Sequence, residues 1–117
     1  MLFTEQDITI YQQATEPIGI VVQDRYGNPI DLDTLEDYCW ILGLREIEVL
    51  RYTKGDAVIS LATTHGPRDT LVITLPPDIT STLGEGVTYK HQAWGTIGGR
   101  ARPLCDGRVY VESGYGC

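Results

Sequence analysis

Apolar residues along this chain recur at every second position, not at every third or fourth. Ile8 and Ile10 alternate with polar neighbours, and Ile18, Ile20 and Val22 do so after Pro17. Tyr38, Trp40, Leu42 and Leu44 fall two apart. Ile47, Val49 and Arg51 are spaced likewise, which predicts one long strand or two strands broken near Arg45-Glu46. Val58, Ile59 and Leu61 give a further strand, Leu71, Ile73 and Leu75 the clearest one, and Val87, Tyr89, His91 and Ala93 another. Val109 and Val111 form the last, entered from Asp106-Gly107. Such a period puts alternate side chains on one face of a strand.

Turn residues separate these runs. Arg25-Tyr26-Gly27-Asn28-Pro29, Lys54-Gly55-Asp56 and Thr64 to Asp69 are natural reversals, because Gly and Asn tolerate positive φ and Pro stiffens the chain. Pro76 to Gly84 reads as one turn of α or 3₁₀ helix crossing between sheets, with Asp78 able to cap it. Asp33 to Asp37 could form another helical turn. Seven to nine short strands at this spacing predict an all-β single β-sandwich, immunoglobulin-like or related, with one short helical turn. Trp40 and Ile73 are expected in its core, on opposing sheets. Residues 1–117 make one domain, with flexible arms expected at about 1–6 and 114–117.

Charge narrows the function. Sixteen acidic residues outnumber nine basic ones, for a net charge of −7. Only Arg100 and Arg102 approach a basic cluster, so a phosphate-binding surface, and with it nucleic acid, is disfavoured. The first residues have no basic start and no long apolar run, so neither a secretory signal nor a membrane span is expected, and the chain reads as made in a cytoplasm. Three cysteines, an odd number, argue against a disulfide framework. Cys39 is expected as a buried thiol, Cys105 and Cys117 can pair only if the chain ends meet, and no C-x-x-C spacing points to zinc.

Little in the sequence points to chemistry. His65 sits in a Gly-Pro turn and His91 on a strand, neither beside a nucleophile motif. Asp31, Asp33, Glu36 and Asp37 form the densest acidic group, but Leu32 and Leu35 interrupt it. A solvated turn face is expected there, with calcium the weaker alternative. Gly95-Thr96-Ile97-Gly98-Gly99-Arg100 lacks the Lys-Ser/Thr of a phosphate loop and reads as a hairpin loop. Trp94 and several of the seven tyrosines could form a sugar-binding platform, whereas Trp40 belongs in the core. No catalytic, cofactor-binding or metal-ligating residue is therefore expected, and no enzyme.

Two longer stretches carry a resemblance. The run "DRYGNPIDLDTLEDYCWIL" joins an acidic-Gly-Asn-Pro turn, an Asp-Leu pair, a short connector and a hydrophobic strand. "ITLPPDITSTLGEGVTYKHQAW" joins a strand, a short helical crossing, a Gly turn and a Tyr-containing strand. From Asp7 to roughly Ser113 the chain resembles the small β-sandwich domain at the N-terminus of phage baseplate upper proteins and in related tail and neck proteins. In that pattern Asp31 bonds backbone amides of the connector, while Leu32, Leu35 and Leu83 plug the sandwich. The resemblance implies a bacteriophage virion component of the tail, neck, baseplate or capsid surface. It would act by docking onto other virion proteins or onto copies of itself. A carbohydrate-binding module on a virion surface is the alternative.

Overall fold

The computed structural model describes residues 4–15 and 17–113. The alternating runs become nine strands among them. These are β1 (Thr4–Glu5), β2 (Ile8–Tyr11), β3 (Pro17–Val21), β4 (Asp37–Leu44), β5 (Ile47–Thr53), β6 (Ile59–Ala62), β7 (Thr70–Thr74), β8 (Thr88–Ile97) and β9 (Arg100–Glu112). A 3₁₀ turn spans Leu32–Thr34, and one helical turn, α1, spans Pro77–Thr80.

Two sheets result. The larger runs β9-β8-β4-β5, and the other edge of β9 carries β1 and then β2, both parallel to it. The smaller runs β3-β7-β6 and is antiparallel throughout. This order is that of immunoglobulin-like sandwiches, with β3-β7-β6 as strands B, E and D and β9-β8-β4-β5 as G, F, C and C′. Trp40 on β4 and Ile73 on β7 are fully buried from opposing sheets, among Ile20, Leu42, Leu71 and Leu104. Leu32, Leu35 and Leu83 close the ends of this core, and the Asp31 carboxylate caps the 3₁₀ turn by accepting from the Asp33 amide.

The hairpins obey different chemistries. Gly98 and Gly99 join β8 to β9 with φ of +58° and +76°, the conformation a two-residue hairpin requires. Arg45 and Glu46 join β4 to β5 at φ of +51° and +67° without glycine. The chain therefore breaks at Arg45-Glu46 into two strands.

Several expectations are corrected. Asp106-Gly107 is no turn: β9 continues through it for 13 residues. Glycine stands at 107 because a Cβ there would overlap the Gln6 carbonyl, where the chain crosses from β1 to β2. The free arm expected over residues 1–6 does not hold from Thr4 onward, because Thr4 and Glu5 pair with Cys105 and Asp106. Residues 114–117, and with them the possible Cys105–Cys117 pairing, lie outside the described residues. A register shift at Leu42/Gly43 leaves Val49 without a partner across the pair, so that Leu50 and Tyr52, opposite Leu42 and Trp40, cover the core; Val49 is exposed, and so is Ile47, which lies opposite Leu44 at the hairpin tip. Asp78 lies in the first turn of α1 but does not cap it; Pro76 holds the cap position.

Truncating Trp40 to Ala should cost about 3–5 kcal/mol in denaturant melts, the range for a buried aromatic. A loss below about 1 kcal/mol would mark a surface side chain instead.

Candidate functional site

Burying an indole obliges the fold to supply an acceptor for its N–H. Trp40 Nε1 donates to His91 Nδ1 at 3.2 Å, and the two rings lie tilted with centroids 6.1 Å apart. An indole nitrogen only donates, so His91 Nδ1 must be unprotonated and the ring proton sits on Nε2. That proton is given to the Gln6 carbonyl at 2.6 Å. The Gln6 amide in turn donates to the Asp106 carbonyl, and its side-chain nitrogen donates to the Val21 carbonyl, both at 2.8 Å. One relay thus joins β4, β8, the β1–β2 crossing, β9 and the last residue of β3. Desolvation lowers the His91 pKa, against upward pulls from the Gln6 carbonyl, Asp106 and Asp7, so the ring stays neutral.

Tyr89 stands two residues before His91 at the start of β8, and its hydroxyl accepts from the Gly84 amide at 2.8 Å. This is the tyrosine corner of immunoglobulin-like domains. In antibody domains a disulfide cysteine follows two residues later; here that place holds His91, and a hydrogen-bonded imidazole faces Trp40 instead.

Cys105 is fully buried, and desolvation, with Asp106 adding to it, pushes its thiol up to about 12. Cys39, expected as buried, is only half-buried, because it sits on the outward face of β4 opposite Trp94. His65 is exposed in its turn and contributes its backbone amide rather than its ring.

That amide belongs to a loop fastened by one carboxylate. The fully buried Asp69 carboxylate accepts from the amides of Thr64, His65 and Gly66 at 2.9–3.1 Å and from the Thr70 hydroxyl at 3.0 Å. Desolvation pushes its pKa up, but the four donors outweigh that and bring it to about 2. Sequence reading saw only a turn end here, since an aspartate inside a turn is indistinguishable from a solvated one until its donors converge.

The acidic group is engaged in the same structural way. Arg68 reaches Asp33 at 2.6 Å and Asp31 at 3.9 Å, Glu36 accepts from the Gly99 amide, and Asp37 accepts from the Tyr38 amide. Among the described residues no group of three or more His, Cys, Asp or Glu side chains is arranged to hold a metal ion. Gly95 is buried against Leu35 and Leu104, while Arg100 and Arg102 are exposed at the start of β9.

What remains available is the β5 edge and the outward face of the larger sheet. Ile47 is 69% exposed and Val49 42%, on a strand whose far edge is unpaired. An open groove of about 1080 Å³ lies between the β4–β5 hairpin and the start of β8, lined by Ile41, Leu44, Ile47 and Val87 together with Arg45 and Lys90. Trp94 sits farther along this face with its Nε1 given to Gln92, and Tyr11 and Tyr110 are exposed toward the β2 edge. No helix among the described residues is long and apolar enough to cross a membrane. No protein-family profile matches the chain, and no curated protein matches it.

Acid should lower the stability of the domain over two separate pH ranges. The unfolded chain takes up a proton on His91 near its ordinary value of 6.5, which the folded ring resists, so stability falls as pH drops below that value. Asp69 contributes in full above its ordinary 3.8, and that contribution is lost as pH falls from there toward 2. Denaturant midpoints followed against pH should lose the first slope in His91→Gln and the second in Asp69→Asn. Unaltered slopes in both variants would remove these groups as the cause.

Proposed function

We propose that this domain is a structural component of a bacteriophage virion, in the tail, neck, baseplate or capsid surface, and acts by docking onto other virion proteins or onto itself. The observation that carries the docking part is the edge strand β5 of the larger sheet, which presents Ile47 and Val49 to solvent along an unpaired edge. Exposed strand edges bearing apolar side chains are pairing surfaces. The placement in a virion rests on the sequence resemblance. The buried titratable groups support a binding role over a chemical one, since His91, Asp69 and Cys105 are all committed to structural contacts.

A sugar-binding role on the virion surface is the second reading. It is favoured by Tyr11 and Tyr110, exposed diagonal neighbours on one face of the sheet. Stacking aromatics with polar groups beside them suit a sugar ring, and a glycan array separates this reading from the first.

Mass spectrometry of purified particles should find the chain, and its absence would end the virion proposal. The double variant Ile47→Asp, Val49→Lys should lose incorporation while changing stability by no more than about 0.5 kcal/mol per site, as surface substitutions do. Full incorporation of that variant would move docking to another face.

A further inference from the structure

The segment Thr4–Tyr11 is held in an unusual way. Its strand pairing is with β9 alone, in a parallel ladder from Thr4↔Cys105 to Tyr11↔Glu112. On its other side β2 does not pair with β3. An open crevice of about 250 Å³ runs between them, bordered by Ile8, Ile10, Ile18 and Leu75. Between Tyr11 and Pro17 the chain must cross to the smaller sheet, and Gln13 does so in the left-handed region at φ of +65°, which a non-glycine residue adopts at a cost.

Against this loose flank stands a slot of high specificity. Gly107 leaves room for the Gln6 carbonyl and no more. His91 Nε2 points a proton at that oxygen, and the Gln6 side chain bonds both the carbonyl and the amide of Val21. The Arg108 amide donates to the Asp7 carboxylate at 2.9 Å. These are the features of a site that reads one particular extended segment by its backbone and by Gln6.

We propose that Thr4–Tyr11 is an exchangeable strand, and that the slot along β9 accepts the same segment from a second copy of this chain. A second copy carries the same Gln6 and Asp7, so it satisfies the slot as fully as the chain's own segment does. Exchange then replaces the intramolecular contacts one for one and changes mainly the hinge. Opening at residues 12–15 relieves the Gln13 conformation and breaks only a few hinge bonds, among them Gln12 Nε2 to the Leu83 carbonyl. This deepens the assembly reading by naming a partner and a mode of linkage, but its test uses the purified chain and is independent of any virion.

Thr9 and Tyr110 are register partners on adjacent strands, and both are exposed. Full-length Thr9→Cys chains mixed with Tyr110→Cys chains can be joined between these positions in register only if the strand of one copy lies on β9 of another. After bridging with a short bismaleimide, peptide mass spectrometry distinguishes this link from links through native cysteines. Pairing Thr9→Cys with Ser60→Cys, exposed on β6, measures random collision. The Thr9–Tyr110 link should exceed that control, rise with chain concentration, and rise again after a brief pulse of partial denaturant. Deleting Gln13 and Ala14 strains the closed form and should raise the exchanged share, by tenfold for each ~1.4 kcal/mol of strain. A Thr9–Tyr110 yield no greater than the Ser60 control, before and after the pulse and in the shortened hinge, overturns the proposal.

Discussion

The hydrogen bond from Trp40 to His91 is the constraint on which much of this structure rests. An indole buried without an acceptor is costly, and an acceptor buried beside it needs its own remaining proton placed. His91 solves both because its two nitrogens differ: one accepts from Trp40 and the other donates to Gln6. The need for a carbonyl at that point fixes where the chain crosses between β1 and β2, and the crossing fixes glycine at 107. A demand that starts at one side chain in β4 is thus met at the far edge of the sheet. Removing any one member leaves the others buried with unmade bonds, so the effects of substitutions along the relay should be strongly non-additive.

The loops repeat this use of polar groups as internal fasteners. Asp69 gathers three amides and a hydroxyl, Asp24 accepts from the amides of Tyr26 and Asn28, and Asp31 caps the 3₁₀ turn. An acidic chain has carboxylates to spare for such work, because each serves as an acceptor for backbone amides that a tight turn cannot pair otherwise. The surface is correspondingly divided. Turns are closed upon themselves, while the edge strand β5 keeps Ile47 and Val49 in the open.

Period-two runs were legible wherever one face of a strand met the core. Ile18-Ile20, Leu71-Ile73 and Tyr89-His91 needed only alternation, and Pro76-Pro77 with Gly84 marked the helical crossing. Local pattern failed where a distant segment set the local structure. Arg100 to Gly107 contains Pro103 and Gly107, ordinary breakers, yet it is continuous strand because β8 pairs along it and Gln6 passes over it. Ile47 and Val49 keep their spacing yet stay out of the core, because the register shift that leaves Val49 unpaired lies in the pairing and not in the residues, and Ile47 sits at the hairpin tip. The two histidines looked alike in sequence. Only the position of Trp40, on an adjacent strand 51 residues away, separates a structural imidazole from an exposed one.

The two tight hairpins of the larger sheet invite a comparison in terms of what each leaves free to vary. The Gly98-Gly99 reversal is relaxed and carries no side chains. The Arg45-Glu46 reversal holds two charged residues in left-handed geometry, a burden of about 1–2 kcal/mol each that Asn-Gly would largely avoid. That burden sits at the rim of the outward groove, where side chains protrude and the core does not reach. The tip therefore carries charged side chains at the expense of ease of folding. Replacing Arg45-Glu46 by Asn-Gly would relieve most of that burden and leave Trp40 and His91 untouched, so the tip can be rebuilt while the sandwich beneath stays unchanged.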